Sequence, residues 1–187
     1  RQMCIRDSTS TAYKGQGPGE ITIVGHVEYD KAHSRIYVTD HGKQKIFSYN
    51  PDSILANPDY MPDVKMEMKA SLFPDTYQYI NDTLCIGRVI KPIGTNNFKP
   101  YIAKWNMATG EIKLMKYEHP DIKKVRFTST VSTEHNMYLQ CYSRHDLMTI
   151  CNLDGDLICN IYGPDWTTDS SDTSHYCCLF YTSPSPR

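Results

Sequence analysis

The feature that most limits how this chain can fold is a faint internal repeat, legible in two interleaved markers. Four segments carry a proline in a comparable setting: Gly17-Pro18-Gly19-Glu20, Met61-Pro62-Asp63-Val64, His119-Pro120-Asp121-Ile122 and Gly163-Pro164-Asp165-Trp166. These prolines stand 44, 58 and 44 residues apart. Asparagine opens a turn at Asn50-Pro51-Asp52, Asn106-Met107-Ala108-Thr109-Gly110 and Asn152-Leu153-Asp154-Gly155, which lie 32, 44 and 32 residues after the preceding proline. A period of about 20–50 residues belongs to chains whose units bury their apolar faces by stacking on one another. The middle unit is longer because of one stretch, residues 90–100, whose Pro, Gly and Asn mark it as an irregular loop.

Each unit reads as four short strands. Unit one, about 18–61, carries them at 21–29, 35–39 and 45–49, with a weaker outer strand near 53–55. Unit two, about 62–119, has 76–80, 84–87, 101–105 and 111–117. Unit three, about 120–163, has 127–132, 137–141, 147–151 and 157–162. Residues 12–15 read as the outer strand of a preceding unit. Alternation such as Ile36/Val38 and the Asn and Asp-Gly turns fit antiparallel hairpins. No unit shows a 3.6-residue apolar stripe of useful length, which disfavours helical repeats. Four-stranded units of this period indicate an all-β chain: a β-propeller fragment of about three complete antiparallel blades plus part of a preceding one.

Charge and hydropathy remove several classes of function. Twenty Lys and Arg against 21 Asp and Glu leave a net charge of −1, so there is no basic field for nucleic acid. No window approaches 18 consecutive apolar residues, so no transmembrane helix is expected. Residues 1–8 (Arg1-Gln2-Met3-Cys4-Ile5-Arg6-Asp7-Ser8) and 178–187 (Cys178-Leu179-Phe180-Tyr181-Thr182-Ser183-Pro184-Ser185-Pro186-Arg187) resemble translated sequencing-adapter sequence and are set aside. That leaves 9–177 as an incomplete propeller. Cys85, Cys141, Cys151, Cys159 and Cys177 then remain, with no CxxC pair and no Cys/His zinc spacing. They are expected to be buried free thiols, with Cys141 and Cys151 on neighbouring strands.

Gly15-Gln16-Gly17-Pro18-Gly19-Glu20, followed by Arg35-Ile36-Tyr37-Val38-Thr39-Asp40, resembles the blade junction of NHL and TolB-like six-bladed propellers. The later run Asn152-Leu153-Asp154-Gly155-Asp156-Leu157-Ile158-Cys159-Asn160-Ile161-Tyr162-Gly163-Pro164 is similar to a blade of the TolB-like proteins of Bacteroides-type bacteria. The resemblance covers roughly residues 13–166. It implies an exported, often lipid-anchored protein of the periplasm or cell surface, and it supplies no catalytic motif. The partner it implies is a peptide, a glycan or another envelope protein. Membrane contact would run only through an anchor outside this stretch, and no nucleic acid is involved.

In a four-strand meander, the loop between the second and third strands shares a side with the blade-to-blade connection. That side gathers Asp40-His41-Gly42-Lys43, Arg88 with the 90–100 stretch, Ser143-Arg144-His145-Asp146, and the junction residues Glu20, Asp63, Asp121, Asp165 and Trp166. The candidate ligand-binding residues are Asp40, His41, Arg88, Arg144, His145 and Trp166. The plainer reading has Asp40 capping a strand end and the arginines pairing with junction aspartates. No G-x-S-x-G, H-E-x-x-H, P-loop or G-x-G-x-x-G appears in a fitting context, so no catalytic residue is assigned. Asp154-Gly155-Asp156 reads as a hairpin turn rather than a calcium loop. His41 and His145 lack a third metal ligand, so neither metal nor cofactor is expected. Asn81-Asp82-Thr83 matches a glycosylation sequon. The expected function is a non-enzymatic binding or scaffold module of the bacterial envelope. The alternative is a hydrolase or lyase built from channel-facing His, Asp and Arg.

Overall fold

The computed structural model describes residues 12–171 apart from Pro58, Asp82 and Asn96; segments 1–8 and 178–187 and Cys177 lie outside the described residues. Among the described residues, twelve strands form three four-stranded antiparallel meanders. The first holds β1 (Val24–Asp30), β2 (Arg35–Asp40), β3 (Lys45–Tyr49) and β4 (Asp63–Glu67), with a short helix α1 (Pro51–Ala56) between the last two. The second holds β5 (Phe73–Tyr79), β6 (Leu84–Pro92), β7 (Phe98–Asn106) and β8 (Ile112–Leu114). The third holds β9 (Phe127–Ser132), β10 (Met137–Tyr142), β11 (Leu147–Asn152) and β12 (Leu157–Tyr162). Strand β1 lies beside β5, and β6 beside β9, so the sheets stack in chain order like propeller blades. The all-β, blade-like architecture expected from the repeat is therefore present.

Side-chain alternation explains the stacking. Tyr37 and Ile46 point toward the second sheet, while Ile36, Val38, Phe47 and Tyr49 gather on the opposite face. The middle sheet supplies both of its neighbours. Cys85, Val89, Ala103 and Trp105 enter the first interface, whereas Ile86 and Ile102 enter the second beside Phe127, Tyr138, Leu147 and Cys151. A one-residue slip in β6 or β7 would swap these sets, which pins the register from both sides.

Several finer expectations are corrected. Residues 53–55 form no strand but lie in α1. Asn50 Oδ1 accepts from the Asp52 amide at 3.1 Å and Pro51 opens the first turn, a cap and a pre-set φ that start a helix. The outer strand of the first sheet is β4, beyond Pro62. Pro62 therefore leads into an outer strand, whereas Pro120 and Pro164 follow theirs, and the unit boundary at 61/62 cuts through the first sheet. The sheets instead span 24–67, 73–114 and 127–162. Residues 90–100 are not an irregular loop: β6 and β7 stay paired through Ile90↔Pro100, Lys91↔Lys99 and Pro92↔Phe98, making a protruding ribbon. The fourth strand of the second sheet is shorter than 111–117, and the first strand begins at Val24 rather than 21. Residues 12–15 make one parallel bridge, Lys14↔Ile21, and Ala12 rests on the cluster of Ile21, Phe47 and Tyr49.

Candidate functional site

Asp40 ends β2 and is fully buried. Its Oδ2 accepts from the Thr22 amide at 2.7 Å, and its Oδ1 accepts from the amides of Ile23 (3.0 Å), Gly42 (2.9 Å) and Lys43 (3.2 Å). Burial pushes its pKa up, yet the four backbone hydrogen bonds together outweigh it and hold the carboxyl below its ordinary value. The carboxylate thus ties residues 22–23 to the loop after β2. Lys43 completes the knot, its Nζ donating to the carbonyls of Gly17 (2.6 Å) and Glu20 (2.8 Å).

That knot carries His41 to the edge of the second sheet. The imidazole meets the Phe73 ring edge-on at 5.5 Å, and its Nε2 lies 3.6 Å from Asp75 Oδ1, too long for a hydrogen bond. Asp75 Oδ2 accepts from Arg88 Nε at 2.6 Å and stands 2.5 Å from Arg88 Nη2. The other terminal nitrogen of Arg88 donates to the Phe127 carbonyl at 2.8 Å. Residues from all three sheets are joined in this way around one carboxylate.

Asp75 was not among the sequence candidates, and its position explains why. The register shifts between Pro74 and Thr76, leaving Asp75 as the extra residue of a bulge. A bulge re-aims a side chain out of the strict alternation that sequence reading relies on. The available signal was the Pro-Asp pair at a strand start. Above this clamp opens a cleft of about 680 Å³. Its apolar wall is Phe73, Ile90, Phe98, Pro100, Val125 and Phe127; Asn97, Arg126, Thr128 and Ser143 add polar groups.

The remaining candidates lie elsewhere. Arg144 donates to the Ser170 carbonyl at 3.0 Å, and His145, 1% exposed, pairs through Nδ1 with the Thr167 carbonyl at 2.9 Å. Trp166 sits among His119 (5.5 Å), Tyr162 (4.9 Å) and His145 (6.4 Å), an aromatic cluster at the edge of the third sheet. Burial lowers the His119 pKa, and the neighbouring His145 adds to the effect. Asp146 repeats the Asp40 device, accepting from the Asp165 amide at 3.0 Å. A Cβ at Gly163 would collide with that carboxylate, so the Gly-Pro junction has a steric reason there. Of the six candidates, His41 and Arg88 therefore line the cleft, Asp40 supports it from below, and Arg144, His145 and Trp166 form a separate group.

Other sequence readings find their places. Asn152 Oδ1 accepts from the amides of Asp154 (3.0 Å) and Asp156 (2.9 Å), and Gly155 has φ +90°, so this segment is a closed hairpin turn. Cys141 and Cys151 lie on adjacent strands, opposite Met148 and Tyr138 respectively; none of the four described cysteines is in a disulfide, and Cys85 and Cys151 are buried whereas Cys141 and Cys159 are only half-buried. Among the described residues no three His, Cys, Asp or Glu side chains are grouped to hold a metal ion, and no helix is long and apolar enough to cross a membrane.

Stacked four-stranded meanders with a cleft on their loop side define an all-β array of propeller-like blades. Neither a scan against protein-family models nor a search of the curated proteins finds a match for the chain.

Proposed function

We propose that this chain is a non-enzymatic binding module of the TolB-like, NHL-type propeller kind, and that the cleft above Asp75 is its ligand seat. One observation carries the reading. A single carboxylate in a strand bulge links His41, Arg88 and, through Arg88, the Phe127 backbone, so three sheets jointly hold a concave surface of mixed polar and apolar character. Pre-formed apolar clefts with a few convergent polar groups are where proteins take ligands. The alternative of an enzyme draws less support. His41 approaches a carboxylate already engaged by Arg88, and among the described residues no Ser, Thr or Cys side chain is hydrogen-bonded to it as a nucleophile would be to its base. Placement in the periplasm or at the cell surface, with a peptide, glycan or envelope protein as partner, rests on the resemblance at residues 15–20 and 152–164.

The test is a titration of the ¹⁵N-labelled chain with small neutral aromatic fragments such as phenol and indole. Amide shifts are expected to cluster at His41, Asp75, Arg88, Asn97 and Phe127, and to be lost in Phe73→Ala. Shifts confined to the outer faces of the first and third sheets would overturn the assignment, as would no shifts at all.

A further inference from the structure

We infer that the cleft takes an anionic head, a carboxylate or an equivalent oxyanion, carried on an aromatic or branched aliphatic body, and that Arg126 binds the head. This inference rests on the cleft being the ligand seat. The first support is the charge inventory of the lining. Its one carboxylate, Asp75, is already engaged by Arg88 and approached by His41. A cationic ligand would find no free acid there. Arg126, by contrast, has no hydrogen bond or ion pair from its guanidinium among the described residues, although it lines the same cleft.

The second support is that Arg126 is positioned without being engaged. Its carbonyl accepts from the Ser143 amide at 3.0 Å and from the Ser143 hydroxyl at 3.4 Å, which ties its backbone to the third sheet. The side chain is left open to a ligand. A guanidinium fork matches a carboxylate or phosphate edge with two parallel hydrogen bonds. His41 lines the same cleft, with its Nε2 buried beside Asp75 Oδ1 at 3.6 Å. The loop that carries Arg126 adds Lys123 and Lys124, while its Glu118 is taken by Lys99 at 2.6 Å and its Lys116 by Asp156 at 3.4 Å. Asp121 is the one acidic side chain of that loop without an ion pair. The local field therefore favours an anion.

The third support is the shape of the wall. Phe98 is 63% exposed on the protruding ribbon and faces the cleft together with Ile90 and Pro100. An exposed phenyl beside an open guanidinium suits a ligand with an apolar body and a charged end.

The experiment compares N-acetyl-L-phenylalanine with N-acetyl-L-phenylalaninamide on the full chain, by NMR titration at several salt concentrations. The acid is expected to bind about tenfold more tightly than the amide, with the preference shrinking as salt rises. Arg126→Gln is expected to remove most of that preference while leaving the amide unchanged. Because Arg126 is exposed, the variant should keep its fold, and circular dichroism checks this. Equal binding of both probes in the cleft would overturn the anionic class and leave the cleft a binding site. A preference for the acid that survives in Arg126→Gln would overturn the role of Arg126. Binding of neither probe in the cleft, when neutral fragments do bind there, would overturn the inference alone; failure of every probe would overturn the seat as well.

Discussion

Asp40→Ala is expected to lose about 2–4 kcal/mol of folding stability, seen as a lower urea midpoint at unchanged slope. The carboxylate accepts four backbone hydrogen bonds, and alanine leaves the amides of Thr22, Ile23, Gly42 and Lys43 without that acceptor. A buried donor left unpaired costs about 1–3 kcal/mol. Ile23 and Gly42 are exposed enough for water to replace part of the loss, which keeps the total below the sum of four. The pH dependence has a definite sign. The folded carboxyl titrates below its unfolded value near 4, so its contribution is complete above that pH and is lost as pH falls through the folded pKa. Asp40→Ala should therefore unfold less steeply in acid than the parent chain. A change under about 0.5 kcal/mol would show that the knot does not hold the β2–β3 loop.

Trp105→Ala is expected to lose more, about 3–5 kcal/mol. The indole is 1% exposed on β7 and fills the interface between the first and second sheets, with the Tyr77 ring edge-on at 5.3 Å. Around it lie Tyr37, Ile46, Met66 and Met107, which cannot all collapse into the space an alanine leaves. The indole nitrogen is buried and makes no hydrogen bond. Trp105→Phe removes that unpaired donor while keeping most of the apolar volume, so its loss should stay under about 2 kcal/mol. Thermal or urea unfolding of both variants separates the two contributions. Equal losses for alanine and phenylalanine would mean that packing volume is not what Trp105 supplies.

Much of the fold could be read from local pattern. Strands at 35–39, 45–49, 127–132, 137–141, 147–151 and 157–162 appear within a residue of where alternation and turn residues place them, because hairpins keep their pairing information in nearby sequence. The misreading around residues 50–62 has a chemical cause. Asn-Pro-Asp signals a turn, and the same three residues also cap and start a helix; here Ser53, Ile54 and Leu55 continue the chain in helical geometry. The 90–100 ribbon was obscured by its prolines and asparagines, which tolerate strand geometry near a ribbon tip where fewer backbone amides enter the ladder. Within the site, His41 and Arg88 were legible as polar residues on the loop side of the sheets. Asp75 was not, since a bulge breaks the two-residue period, and Arg126 was not, since it lies in a long connection with no pattern of its own.

The functional reading depends on the Asp75–Arg88 pair of the second sheet, from which Asp75 reaches His41 and Arg88 reaches the Phe127 carbonyl of the third sheet. A double-mutant cycle of Asp75→Ala and Arg88→Ala, read out by urea unfolding, tests that clamp most directly. A coupling energy of about 1–2 kcal/mol is expected for a two-point, partly buried arginine–carboxylate pair. Coupling within about 0.3 kcal/mol of zero would contradict it and leave the cleft without the support that makes it a site.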